Sequence, residues 1–145
     1  MQDLFKELKR SLEEWLEDAE KVAVLGIGNL YRKDDGIGSL VVQKLEEYGL
    51  PKNVGLFNCE TVPENFTHLI KSFNPTHIIL IDSALLNQRS GMVKLVFPED
   101  IGGLAISTHT LPLTLFVKYL EQFIKTKIVL LAIQPKDVDF GFGLT

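Results

Sequence analysis

Cysteine is nearly absent from this sequence, with Cys59 the single example. That excludes an internal disulfide and a cysteine-based metal cluster, and it fits a reducing, cytoplasmic setting. No apolar run approaches the ~18 residues that a bilayer-spanning helix needs. The charged N-terminus lacks the apolar segment of a secretory signal. Positive charge is in deficit too. Fifteen Lys and Arg stand against nineteen Asp and Glu, for a net charge of −4. With no basic stripe along the chain, the footprint of nucleic-acid binding is missing. No internal repeat, low-complexity stretch or linker interrupts the sequence. Familiar catalytic signatures are missing as well. There is no H-E-x-x-H, and no Gly-Lys-Ser or Gly-Lys-Thr closes a phosphate loop. The dinucleotide fingerprint fails at its third glycine, where Tyr31 stands.

What is present is an ordinary globular composition, 46% hydrophobic and 23% charged over 145 residues. This is enough for one domain, 1–145, with one substantial core. Leu4, Phe5, Leu8, Leu12, Trp15, Leu16 and Ala19 recur at helical spacing. They predict an amphipathic helix over 2–20, within an N-terminal segment 1–21, docked on the core or offered to a partner. Val22–Gly26 is apolar on both faces, as a central parallel strand should be. A helix from Ile37 ends at Gly49 and Pro51. A strand at 54–59, a helix at 63–73 and a buried strand at 77–82 follow. A shorter, partly alternating strand at 92–97 is expected toward an edge. A helix at 113–123 and a strand at 127–133 complete the order. Strands alternating with helices predict an α/β fold, a three-layer sandwich whose twisted, mostly parallel sheet is covered by helices on both faces.

Ligands in such sheets bind beyond the carboxyl ends of the strands. The first strand leads through Gly26-Ile27-Gly28-Asn29 to Asp34 and Asp35. Either acid would suit a helix N-terminus as a cap or by its charge, which leaves the other spare, with Gly36 giving room for close approach. The second strand ends at Cys59-Glu60, the third at Asp82, and the loop before the last helix carries His109. Asp35, Asp82 and His109 would suit a divalent metal with open positions. His109 could equally be a solvated or capping side chain. His68 reads as a surface or half-buried residue and His77 as structural. Cys59 is a nucleophile with His109 as its base, or a buried core thiol. Glu60 and Glu64 could rim the same cleft, or Glu64 simply favours the N-terminus of its helix.

Five blocks in order carry a resemblance: Gly26-Ile27-Gly28-Asn29 with Asp34-Asp35-Gly36-Ile37-Gly38, "ETVPEN" at 60–65, "IILIDSA" at 78–84, "STHTLPL" at 107–113 and "AIQPKDVDFGFGLT" at 132–145. From about Val22 to Thr145 the chain resembles the maturation endopeptidases of nickel–iron hydrogenases, in the branch serving formate-hydrogenlyase-type or archaeal hydrogenases. The resemblance implies a protease that removes a C-terminal extension from the hydrogenase large-subunit precursor after nickel insertion. It also implies that the nickel is recognised in the substrate rather than held as a resident zinc-type metal. The family's metal-binding positions fall on Asp35, Asp82 and His109, and Asp35 and Asp82 are the catalytic candidates. Asp34 is expected to hold the loop or cap the helix. The runner-up is a metal-dependent module that binds the precursor without cutting it. No nucleic acid or membrane partner is expected, and a monomer is the default. Family members continue beyond the final block into a helix packed on the sheet. Here the N-terminal helix is expected to cover that face.

Overall fold

The computed structural model describes residues 2–104 and 112–145. The elements are α1 (Gln2–Trp15), β1 (Val22–Ile27), α2 (Ile37–Tyr48), β2 (Val54–Glu60), α3 (Thr67–Phe73), β3 (His77–Ser83), β4 (Val93–Val96), α4 (Pro98–Ile101), α5 (Leu113–Phe123) and β5 (Lys127–Ile133). Single 3₁₀ turns at Lys33–Gly36 and Pro63–Phe66 lead into α2 and α3. The strands form one sheet in the order β2-β1-β3-β5-β4. All pairs are parallel except β4, which runs antiparallel to β5 at the edge.

The strand sequences explain this placement. β1 and β3 are buried along their whole length, as central strands covered on both faces must be. Alternate side chains feed two cores. Ala23, Leu25, Ile78, Leu80 and Leu130 join Ile70, Ile101, Phe116 and Leu120 beneath α3, α4 and α5. Val22, Val24, Ile79, Ile81 and Val129 join Val42 beneath α2.

The N-terminal segment docks on this second core through Leu12 and Trp15 of α1 and Leu16 and Ala19 after it, as do Leu95, Leu131 and Ile133 of the sheet. It thus covers the β4–β5 side of the face, and α2 covers the rest. Two features depart from the sequence reading. Leu4 and Phe5 remain exposed, so the first turn of the stripe does not dock. The helix also ends at Trp15 rather than residue 20, although the apolar spacing continues to Ala19. Tertiary bonding redirects the chain there. The Asp18 carboxylate meets His77 Nε2 at 3.1 Å and Lys127 Nζ at 2.9 Å. Trp15 lies edge-on to the His77 ring at 4.8 Å. The expected helix at 63–73 opens as a 3₁₀ turn, with Pro63 in its first position. The four-residue α4 is too short to leave a periodic signal. Among the described residues no helix is long and apolar enough to cross a membrane.

Candidate active site

The glycine-rich stretch after β1 serves close packing. A Cβ on Gly38 would fall 2.2 Å from the carbonyl oxygens of both Ile27 and Ile81. The first turn of α2 therefore rests directly on the ends of β1 and β3. Gly28 has φ +146°, and a side chain there would meet the Asp35 carbonyl. This tight fold brings the 3₁₀ turn back over the sheet and buries Asp35, which is 1% exposed.

The Asp35 carboxylate is fixed at both oxygens. Oδ2 accepts the Asn29 backbone N–H at 2.9 Å, and Oδ1 accepts the Ser83 hydroxyl at 2.9 Å. Asp82 lies at the carboxyl end of β3 and is 0% exposed. Its Oδ1 accepts the Ser83 backbone N–H at 2.8 Å. Ser83 therefore touches both acids, one through its hydroxyl and the other through its amide. The structure thus ties Asp35 and Asp82 to the same serine. Ser83 was not singled out from sequence, although it directly follows Asp82. One hydrogen bond per Asp35 oxygen leaves acceptor capacity on each, since a carboxylate offers about four lone-pair positions. His109 lies outside the described residues.

Asp34 does not cap a helix, because neither the 3₁₀ turn nor α2 has a side-chain cap. It gathers the C-terminal segment instead. Its Oδ2 accepts the Lys136 and Asp137 backbone N–H groups at 2.8 and 3.2 Å and the Thr145 hydroxyl, and its Oδ1 accepts the Thr145 N–H at 2.7 Å. Lys33 adds an ion pair with Asp137 at 2.7 Å. The backbones of Tyr31 and Lys33 exchange bonds with Gly141. Two adjacent acids therefore have separate tasks: one ties the loop to a segment a hundred residues away, and the other turns inward. Burial opposes the charge on Asp34, but these hydrogen bonds outweigh it and hold its pKa at about 2, against an ordinary 3.8. The sign follows by linkage. The clamp contributes fully above pH 3.8 and is lost as pH falls toward about 2. Asp34→Asn should cost about 2 kcal/mol and flatten the stability profile over that interval. Denaturant titrations at pH 2 to 5 test this, and an unchanged profile would contradict the clamp.

Cys59 is fully buried. Burial, with the nearby Glu64 charge, pushes its thiol up to about 12. Such a thiol is protonated and shielded at neutral pH, so the nucleophile reading fails on physical grounds. Native protein should resist iodoacetamide until unfolded, as intact mass would show. Modification under native conditions would contradict this. His77 is buried and structural, bonded to Asp18 and Thr76, and His68 is exposed. Glu60 ends β2 at φ 51° and is exposed, whereas Glu64 is half-buried.

Two buried carboxylates joined through one serine, at the carboxyl edge of a parallel sheet, form an acid pair suited to proton transfer or to meeting a cation. Comparisons with known proteins find relatives of the chain as a whole. A sequence model of the hydrogenase maturation proteases, HycI, matches residues 39–145. A Methanocaldococcus jannaschii protein assigned to the hydrogenase maturation proteases is 42% identical over 140 residues, covering 92% of this chain and 83% of that protein. Among solved structures, the nickel–iron hydrogenase maturation protease HycI from Thermococcus kodakarensis superposes with a TM-score of 0.85 at 29% identity, covering 93% of this chain and 86% of that one. The hydrogenase maturating endopeptidase HybD from Escherichia coli superposes with a TM-score of 0.72 at 26% identity, covering 87% and 81%. With this shared fold and a family match over most of its length, the chain belongs to the hydrogenase maturation protease family.

Proposed function

We propose that this protein is an endopeptidase that removes the C-terminal extension of a nickel–iron hydrogenase large-subunit precursor, and that it recognises nickel carried by that precursor. The observation that supports this best is the Asp35–Ser83–Asp82 arrangement. It places two buried acids at the sheet edge where the fold presents ligands, in a chain of this family. Asp35, Asp82 and His109 are the residues that would meet the substrate's metal. Oxygen donors and one imidazole make a weak permanent nickel cage, since nickel is held tightly by softer or more numerous nitrogen and sulfur donors. They suit a contact that forms when the metal arrives with ligands of its own.

In peptide hydrolysis, the oxygen of water bonds to the scissile carbonyl carbon. One of the two carboxylates accepts the water proton and returns a proton to the leaving nitrogen as the C–N bond breaks. A cation carried by the substrate would supply Lewis-acid polarisation of the carbonyl or of the attacking water. Ser83 fixes the separation of the two carboxylates, so neither needs to reorganise during the step. The reaction takes place in the cytoplasm, with the protein acting as a monomer. The test is the intact mass of a nickel-loaded precursor before and after incubation with the protein. Loss of a single C-terminal fragment is expected, and an unchanged mass would contradict the reading.

A further inference from the structure

Four large apolar side chains lie exposed around the loop that carries Asp35: Tyr31, Phe140, Phe142 and Leu144. Phe140 and Phe142 are the most open of the four, at 85% and 76% exposed. Sequence separates Tyr31 from the others by more than a hundred residues, but backbone pairing brings them together. Gly141, between the two phenylalanines, forms a parallel bridge with Arg32. Its N–H donates to the Tyr31 carbonyl at 2.7 Å, and the Lys33 N–H donates to the Gly141 carbonyl at 2.9 Å. The Tyr31 and Phe142 ring centres are 4.7 Å apart. Leu144 precedes Thr145, which the Asp34 carboxylate holds, and lines a cavity with Ile37 at the start of α2.

The support beneath these side chains is fixed. Beyond the Asp34 bonds, Lys33 pairs with Asp137 at 2.7 Å and Arg32 Nε donates to the Val138 carbonyl at 2.9 Å. Ordering a segment costs conformational entropy, and aromatic rings left in water return little of it through burial. Contiguous exposed apolar surface marks an interaction site. Aromatic anchors on an ordered support are what binding hot spots use.

Position and charge identify the partner. Tyr31 follows β1 and residues 140–144 follow β5, so the patch stands at the carboxyl edge of the parallel strands, where β3 presents Asp82. One loop serves both places. Asp34 ties it to the segment bearing the patch, and Asp35 turns inward to Ser83. The patch is therefore continuous with the surface over which a precursor must lie to reach the acids. Charge around it is satisfied within the chain. Lys33 and Asp137 pair, Asp34 is occupied by its donors, and exposed Lys136 and Asp139 offset each other. A nucleic acid or an anionic membrane finds no complement there, whereas an apolar protein surface does.

We infer that the patch of Tyr31, Phe140, Phe142 and Leu144 docks an apolar area on the folded body of the large-subunit precursor, beside the point where the C-terminal extension leaves that body. This rests on the protease reading and adds to it a contact that does not touch the reacting atoms.

The test has two arms. In the first, binding of nickel-free precursor, which the protease reading leaves uncut, to the full chain is measured by calorimetry. Phe140→Ser and Phe142→Ser should each weaken binding about tenfold, with melting temperatures unchanged because both side chains lie in water. Added salt should change the wild-type affinity little, since no charge pair spans the contact. In the second, cleavage of nickel-loaded precursor is followed kinetically. Both variants should raise KM about tenfold and leave kcat as it is. If wild-type protein cleaves and both variants match it in affinity and kinetics, the docking patch is overturned while the protease reading stands. If nothing is cleaved but both variants lose affinity, the protease reading fails and the patch survives as a precursor-binding surface. Failure of nickel-free precursor to bind, together with unaltered kinetics, removes the proposal. Wild-type protein that sediments as a dimer, and as a monomer with Phe142→Ser, would assign the patch to a second copy and overturn it as well.

Discussion

Asp82→Asn and Asp35→Asn should each fold normally and lose precursor cleavage by about a thousandfold, the range expected for removing a general base or a charge at the reacting centre. Folding should survive because asparagine has nearly the same shape and can keep the hydrogen bonds to Ser83 and Asn29. At position 82 its carbonyl oxygen can still accept the Ser83 N–H. At position 35 the oxygen can keep the Asn29 N–H while the amide donates to Ser83, whose hydroxyl rotates to accept. Each substitution removes the negative charge, and activity and stability should separate. Ser83→Ala should keep both charges but release Asp35 from Asp82, with a smaller loss of about tenfold in kcat. Near-wild-type cleavage by both aspartate variants would remove the acid pair from the mechanism.

Deleting residues 2–20 should lower the melting temperature by about 10–15 °C. This segment contributes Leu12, Trp15, Leu16 and Ala19 to the core beneath it. It also leads to Asp18, which bridges His77 and Lys127. Losing about 4 kcal/mol of apolar burial from a chain of this size corresponds to a shift of that order. The exposed first turn bears on the alternative role. If the helix existed only to bind a partner, Trp15 would not lie against the ring of buried His77. Trp15→Ala offers a milder check and should cost about half as much. An unchanged melting temperature after the deletion would show that α1 is not part of the core.

The sheet was legible because its information is local. Five apolar runs bounded by Gly, Pro and Asn identify the strands, and residues 113–123 and 127–133 are an element each, as their periodicity indicates. Weak alternation marked β4 as an edge strand, although its antiparallel pairing with β5 leaves no trace in its own residues. The positions of Asp35 and Asp82 followed from one topological rule once those strands were recognised. What sequence concealed depends on distant partners. Asp34 is bonded to residues 136, 137 and 145, so its neighbours in sequence suggest a cap that does not exist. α1 stops early because His77 and Lys127, about sixty and more than a hundred residues away, draw in Asp18. Ser83 carries no periodic signal.

The most direct measurement compares three mixtures by intact mass: nickel-loaded precursor with protein, nickel-free precursor with protein, and nickel-free precursor with protein that has been preincubated with nickel and then desalted. Substrate-borne nickel recognised by Asp35 and Asp82 predicts loss of the C-terminal fragment in the first mixture alone. Cleavage in the third would show a resident metal and contradict substrate-borne recognition. Binding of the nickel-loaded precursor without cleavage in any mixture would make the protein an inspection module rather than a protease.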